Sequence, residues 1–316
     1  MQEILLVLAP EDDSQFARLN HIPHYLVTDT APPVEIAERA TALLHWSGPK
    51  NLLRESFLRC PKLRWIHSRG AGIDSRLFPE LVESDVVLTN GKGTFSSSLG
   101  EYALAAILYF AKDISRLRSN QAARLWAPFE VDRIAGQTVG IVGYGDIGQA
   151  VATRVHAMGM KVLALRRHAP AIPDPVIERY FAPDDLAAML ALCDYVVVTA
   201  PLTAETKHMV GEAAFAAMKE TAIFINLGRG PVVDEAALVR ALTAKRIRGA
   251  ALDVFEQEPL PSDSPLYGMD QVLLSPHCAD NTRDWLERAM DLFLEQYDRF
   301  HKNEPLLNVV NKRLGY

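Results

Sequence analysis

Gly143, Gly145 and Gly148 stand at G-x-G-x-x-G spacing inside the segment VGIVGYGDIGQAV. Glycine at the first place permits a tight turn, at the second lets the backbone approach a ligand, and at the third lets a helix lie close on a strand. The chemistry served is pyrophosphate binding, because N–H groups at the start of a helix offer partial positive charge to an anion. Tyr144, Asp146 and Ile147 complete the candidate cofactor loop. A dinucleotide with a free ribose 2′-hydroxyl is ordinarily met by a carboxylate at the end of the next strand, about twenty residues past the glycines. Here that place reads Leu165, Arg166, Arg167, His168. A guanidinium pairs with phosphate through two parallel hydrogen bonds and stacks on a purine, which a carboxylate cannot do. The pattern predicts NADP as the preferred cofactor, with Arg166 and Arg167 at the 2′-phosphate. NAD is the alternative if these arginines are only solvated surface charges.

A glycine turn works only between a strand and a helix, and the flanking sequence supplies both. TVGIVG, KVLALR, YVVVTA, AIFINL, GAALDV and QVLLS are apolar runs without alternation, separated by helix-compatible stretches at 184–192, 211–218 and 234–244. Uninterrupted apolar strands imply a parallel sheet covered on both faces. Residues 1–98 repeat the alternation in EILLVLA, ALLHWS, RWIHS and DVVLTN. The stretch 98–119 predicts one helix, apolar on nearly every face, with Ser98 as N-cap three residues before Glu101. The expected fold class is α/β, with two Rossmann-like or flavodoxin-like parallel-sheet domains. Residues 1–98 with 281–316 form the substrate-binding domain, and 99–280 the dinucleotide-binding domain.

Composition bounds the partners. The 316 residues are 49% hydrophobic, enough for two cores, and carry a formal net charge of -6. Nothing draws such a chain as a whole to nucleic acid or to anionic membranes, so any anion must be met by local groups. The opening MQEILLVLAP suits a first strand better than a secretory leader, and no apolar run reaches membrane-spanning length. Cys60, Cys193 and Cys278 show no metal-ligand or redox spacing, so no metal is expected and the compartment reads as cytoplasmic. The bland expectation for Cys278 is a small buried thiol.

Three further motifs follow in order: INLGRGPVVDEAAL, GAALDVFEQEPLP and LLSPHCADNT. With SRGAGID and GYGDIG, they make the chain resemble the D-isomer-specific 2-hydroxyacid dehydrogenase family, in its glyoxylate/hydroxypyruvate reductase-like branch. The resemblance spans nearly the whole chain. It implies that Arg229 binds the substrate, that Glu258 is the catalytic glutamate and that His277 is the acid/base histidine. These residue types suit a 2-oxo acid. An arginine fork can hold its carboxylate and polarise its carbonyl, and a protonated imidazole can neutralise the charge that grows on oxygen as hydride arrives. Glu258 on the other ring nitrogen would fix the tautomer and favour the imidazolium.

The resemblance also implies that Asp253 meets the nicotinamide amide, although a strand-end aspartate can equally cap a turn. It puts Thr199, Pro201 and Thr206 on the cofactor, Thr206 otherwise serving as a helix-entry residue. It gives the substrate carboxylate to the backbone N–H groups of Ala71 and Gly72, and carries Trp126 toward a neighbouring subunit's substrate pocket. Asp280 departs from the commoner pattern, where a small residue stands; it could act on His277, on the nicotinamide or as a helix cap. The implied whole is a homodimer, its active site in the cleft between the domains, that reduces a small 2-oxo acid to the D-2-hydroxy acid. The alternatives are a 3-phosphoglycerate dehydrogenase-like enzyme and a non-catalytic, dinucleotide-sensing corepressor-like protein. The first is disfavoured by the lack of a C-terminal extension and a second phosphate cluster, the second by the presence of all three chemical residues.

Overall fold

The computed structural model describes residues 3–168 and 170–316. The chain forms two units: one runs up to Phe95 and resumes over Thr282–Tyr316, and the other is Ser96–Asn281.

In the first unit, β1 (Ile4–Leu8), β2 (His24–Val27), β3 (Ala40–His45), β4 (Trp65–Ser68) and β5 (Val87–Asn90) form a parallel sheet in the order β2-β1-β3-β4-β5. Successive side chains of a strand face opposite ways, so an apolar run serves two cores at once. Leu6, Leu8, Leu43 and Ile66 pack against Leu52, Leu53 and Phe78, while Leu5, Val7, Leu44 and Trp65 pack against Met290 and Phe293. The last two lie on the helix Trp285–Lys302, where Phe293 stacks on Trp65 with ring centroids 5.7 Å apart.

The second unit holds β6 (Thr138–Val142), β7 (Lys161–Leu165), β8 (Arg179–Phe181), β9 (Tyr195–Val198), β10 (Ile223–Asn226), β11 (Gly249–Leu252) and β12 (Val272–Leu274). All are parallel, in the order β12-β11-β10-β9-β6-β7-β8. The order reverses between β6 and β9, which makes the carboxyl ends of these strands the expected ligand edge. Register brings those ends level: Val142 pairs with Leu165 and Val198, and Asn226 with Val198 and Leu252. Gly143, Thr199, Leu227, Asp253 and Ser275 therefore all begin loops on one edge.

Two local expectations are corrected. The helix expected over 98–119 is two helices, Ser96–Ala111 and Ile114–Ala122. Asp113 takes a left-handed φ of 47° between them, and its carboxylate accepts the Arg116 N–H at 3.3 Å, capping the second helix. Ser98 is not the N-cap, because the first helix already runs from Ser96. Its hydroxyl instead donates to the Ala279 carbonyl at 2.7 Å, tying the helix to the loop after β12. Much of the first helix's apolar surface is used within its own unit, where Leu99, Ala103, Ala106, Ile107 and Phe110 are buried.

Candidate active site

The glycine turn is built as its spacing requires. Gly143 has φ +98°, and a Cβ there would stand 2.6 Å from the backbone of Ala200. A Cβ on Gly148 would meet the Gly143 carbonyl at 2.6 Å, so helix Asp146–Ala157 can lie on β6 only without a side chain there. Gly145 differs from both: a Cβ would find no atom within 4 Å. It is the N-cap residue, and no side chain caps the helix it opens. Open space above uncapped N–H groups fits a pyrophosphate. The tyrosine between these glycines faces inward: the Tyr144 hydroxyl donates to Asp174 at 2.7 Å and its N–H to the Leu165 carbonyl at 3.2 Å. Burial and that carboxylate push the phenol well above its ordinary range, so the side chain braces the turn. Thr199 does similar work, its hydroxyl donating to the Gly143 carbonyl at 2.5 Å.

Past β7 the two arginines part company. Arg166 is half-buried, and its guanidinium has no hydrogen-bond or ion-pair partner among the described residues. Arg167 forms an ion pair with Glu205, which belongs to the loop after β9. That loop is held by reciprocal bonds: Thr206 accepts the Thr203 N–H at 2.8 Å, donates to the Pro201 carbonyl at 2.6 Å, and gives its own N–H to the Thr203 hydroxyl at 3.2 Å. Thr206 thus staples a turn and opens no helix. Pro201 is exposed on the same loop.

Three neighbouring strands carry the proposed chemistry, with Arg229 after β10, Glu258 after β11 and His277 after β12. The His277 ring Nδ1 lies 2.7 Å from Glu258 Oε2, and Glu258 Oε1 accepts the Phe255 N–H at 3.0 Å. His277 itself has a left-handed φ of 52°. Such a conformation costs a β-carbon-bearing residue roughly 1–2 kcal/mol, and Asp253 holds it in place. The His277 N–H donates to the Asp253 carbonyl at 2.9 Å. Asp253 Oδ1 accepts from the Ser275 hydroxyl at 2.5 Å, from Cys278 N–H at 3.0 Å and from Ala279 N–H at 3.1 Å. The buried carboxylate is therefore the hub of the turn that presents His277, and Oδ2 takes part in none of these bonds.

Arg229 donates from Nη1 to the Gly228 carbonyl at 2.9 Å, and Asn226 Nδ2 reaches the Arg229 carbonyl at 3.3 Å. Asp280 lies within electrostatic reach of these groups: burial, the largest effect, and the Asp253 charge push its carboxyl up, while His277 and Arg229 pull it down. Three features of this neighbourhood escape sequence reading. Tyr102, from helix Ser96–Ala111, hydrogen-bonds Ser275 and is pushed up to about 12, chiefly by burial. Ser275 holds the hub carboxylate, and only the position before SP-H could have hinted at it. Cys278 is exposed, unlike Cys60 and Cys193, which corrects the expectation of a buried thiol.

In the first unit, the 70–74 loop has its carbonyls tied down. Gly70 O accepts from Gly91 N at 3.1 Å, Ala71 O from Asn90 Nδ2 at 2.6 Å and Gly72 O from Arg76 Nη1 at 2.9 Å. In a trans peptide each carbonyl opposes the next N–H, so these bonds turn the N–H groups of Ala71 and Gly72 the other way. Neither has an acceptor among the described residues. Trp126 is 95% exposed and touches no part of the chemistry just described. No cluster of metal-ligating side chains exists among the described residues, and no helix there is long and apolar enough to cross a membrane.

A family model described as D-isomer specific 2-hydroxyacid dehydrogenase, NAD binding domain, matches residues 104–279. The chain is 31% identical over 97% of its length to D-3-phosphoglycerate dehydrogenase of Methanocaldococcus jannaschii, but spans only 59% of that protein. It is 37% identical to glyoxylate/hydroxypyruvate reductase B of Enterobacter sp., covering 83% of this chain and 84% of the relative. A crystal structure of a D-isomer specific 2-hydroxyacid dehydrogenase from Xanthobacter autotrophicus Py2, in complex with NADPH and MES, superposes with a TM-score of 0.85 at 31% identity, covering 100% of both chains. The glycine turn, the Glu258–His277 pair and the sheet order all lie within reach of these likenesses, and the chain belongs to the D-isomer specific 2-hydroxyacid dehydrogenases.

Proposed function

We propose that the protein reduces a small 2-oxo acid of the glyoxylate or hydroxypyruvate kind to the D-2-hydroxy acid, using NADPH in preference to NADH. The observation that carries this reading is the 2.7 Å contact between His277 Nδ1 and Glu258 Oε2, on a turn fixed by Asp253 at the same sheet edge as the glycine turn. Gly145 and the uncapped helix behind it hold the pyrophosphate, and Arg166 takes the 2′-phosphate. When bound, the reduced dinucleotide supplies the hydride that ends on the carbonyl carbon.

The chain's residues do the rest. Arg229 binds the carboxylate and polarises the carbonyl. The imidazolium of His277 keeps its Nδ1 proton on Glu258 and gives its Nε2 proton to the oxygen as charge develops there. The ring is left neutral with the remaining proton on Nδ1, the tautomer that Glu258 favours. Asp253 acts through His277 as a positioning residue, and the N–H groups of Ala71 and Gly72 take part of the substrate carboxylate.

The protein as we picture it is a cytoplasmic homodimer. Leu117, Leu125, Trp126 and Val131 leave large apolar side chains exposed in one stretch, which a second copy would cover. The test is a panel of 2-oxo acids assayed with NADPH and with NADH, beside Arg229→Ala and His277→Ala. Turnover of glyoxylate or hydroxypyruvate that collapses in both variants supports the reading. A protein that binds NADPH but reduces no member of the panel is a sensor instead.

A further inference from the structure

Arg69 follows β4 at the carboxyl edge of the first sheet and precedes the 70–74 loop directly. Its guanidinium carbon lies over two indoles, 4.9 Å from the Trp46 ring centroid and 4.7 Å from that of Trp285. Such cation–π contacts use the charge and take up no N–H donor in a hydrogen bond. Arg69 makes no side-chain hydrogen bond or ion pair with any described residue. The Asp13 carboxylate acts on it through charge but makes no hydrogen bond to it. Asp13 accepts from Gln15 N at 2.9 Å through one oxygen and from Trp46 Nε1 at 2.8 Å through the other. Arg76 adds positive charge and is directed to Gly72 O at 2.9 Å and to His45 Nδ1 at 3.3 Å. His45 is held neutral, pushed down to about 4 by burial first and by Arg76 second. Burial likewise pushes Arg69 down, to about 10, with the Asp13 charge opposing the shift and the Arg76 charge adding to it. A partly desolvated cation that hydrogen-bonds no carboxylate gains from a bound anion.

We propose that Arg69 recognises a second anionic group on the substrate, distinct from the carboxylate beside the carbonyl. The substrate class is then a 2-oxo acid that also carries a distal carboxylate or phosphate. The inference rests on the reading above, in which Ala71 and Gly72 receive the first carboxylate. Two anion-binding features within four consecutive residues, backbone N–H groups at Ala71 and Gly72 and a guanidinium at Arg69, suit a doubly charged ligand better than glyoxylate alone.

The experiment compares kcat/KM with NADPH for glyoxylate and hydroxypyruvate against oxaloacetate, 2-oxoglutarate and 3-phosphooxypyruvate, in the wild type, Arg69→Met and Arg69→Lys. The wild type is expected to favour at least one doubly charged substrate by about 10-fold or more, since a charge-assisted hydrogen bond is worth that much. Arg69→Met should lower the ratio of doubly to singly charged substrate about 10- to 100-fold, and Arg69→Lys should restore part of it. The dicarboxylate and phosphate arms identify which distal anion is taken. Melting of each variant with 2-oxoglutarate or 3-phosphooxypyruvate present reads binding without turnover, and the wild type should gain more than Arg69→Met. A ratio unchanged by Arg69→Met, with equal thermal gains, overturns the proposal while leaving glyoxylate reduction intact. Failure of every 2-oxo acid in the wild type overturns the proposed function instead, and the thermal arm still decides whether Arg69 binds an anion.

Discussion

Adding one methyl group at each of two fingerprint glycines separates binding from folding. Gly145→Ala puts a Cβ where no atom lies within 4 Å, whereas Gly148→Ala puts one 2.6 Å from Gly143 O and 3.1 Å from Ile141 Cγ2. At position 148 alanine gains about 1 kcal/mol of helix propensity. Overpacking against a carbonyl that belongs to the turn costs about 3 kcal/mol. The balance is a loss of about 2 kcal/mol, or about 4–8 °C of melting temperature for a unit of this size. At position 145 the only structural cost is the exchange of a glycine N-cap for alanine, no more than about 1 kcal/mol. The new methyl stands where a pyrophosphate would lie, and loss of one charge-assisted bond there weakens NADPH binding about 10- to 100-fold. Melting curves of the free proteins and fluorescence titration with NADPH measure both quantities. A Gly145→Ala protein that binds NADPH like the wild type would refute the placement of the pyrophosphate. A Gly148→Ala protein as stable as the wild type would refute the packing argument.

Other consequences follow from the same geometry. Asp253→Ala leaves three donors around a buried site without their acceptor, at about 1–3 kcal/mol each. It should lower the melting temperature and kcat together while KM for NADPH moves little. A rise in KM alone, at unchanged stability, would make Asp253 a nicotinamide ligand and not the hub of the turn. The Asp280 carboxyl is raised in the folded state, chiefly by burial. Between its unfolded and folded values the folded protein binds more protons, so stability falls as pH rises through that window. Asp280→Asn should accordingly melt higher than the wild type at neutral pH, and the gain should vanish as pH falls below the ordinary aspartate range; equal melting at neutral pH would count against it. Glu205→Gln removes the charge that holds Arg167 and would repel a 2′-phosphate, so KM for NADPH should fall about 3- to 10-fold with little change for NADH. An equal change for both cofactors would separate this pair from the phosphate.

What sequence made legible, and what it did not, divides along the range of the interactions. The strands β6, β7, β9, β10 and β11 are apolar without alternation because both faces of the sheet are covered, and the glycines are fixed by contacts within a few residues or across one strand. Arg229, Glu258 and His277 were reached through resemblance, since each alone is an ordinary loop residue. Long-range partners were hidden. Arg167 and Glu205 are 38 positions apart, and nothing in LRRH tells which arginine will be neutralised. The hub at Asp253 binds groups 22 to 26 positions ahead. Ser98 looked like a helix cap because its local pattern fits one; the Ala279 carbonyl, 181 positions away, claims its hydroxyl. Asp113 breaks the helix because its own side chain offers the second helix a cap, which outweighs an apolar periodicity that would run on through it.

The most direct test of the chemistry is the single-turnover rate of NADPH oxidation with saturating glyoxylate, measured across pH for the wild type, His277→Ala and Glu258→Gln. If the Nε2 proton of His277 enters the transition state, His277→Ala loses about 100- to 10,000-fold. Glu258→Gln should then lose less, because the ring keeps its Nε2 and loses only the carboxylate that holds its Nδ1 side. A His277→Ala enzyme that stays folded and turns over within a few-fold of the wild type would contradict the account.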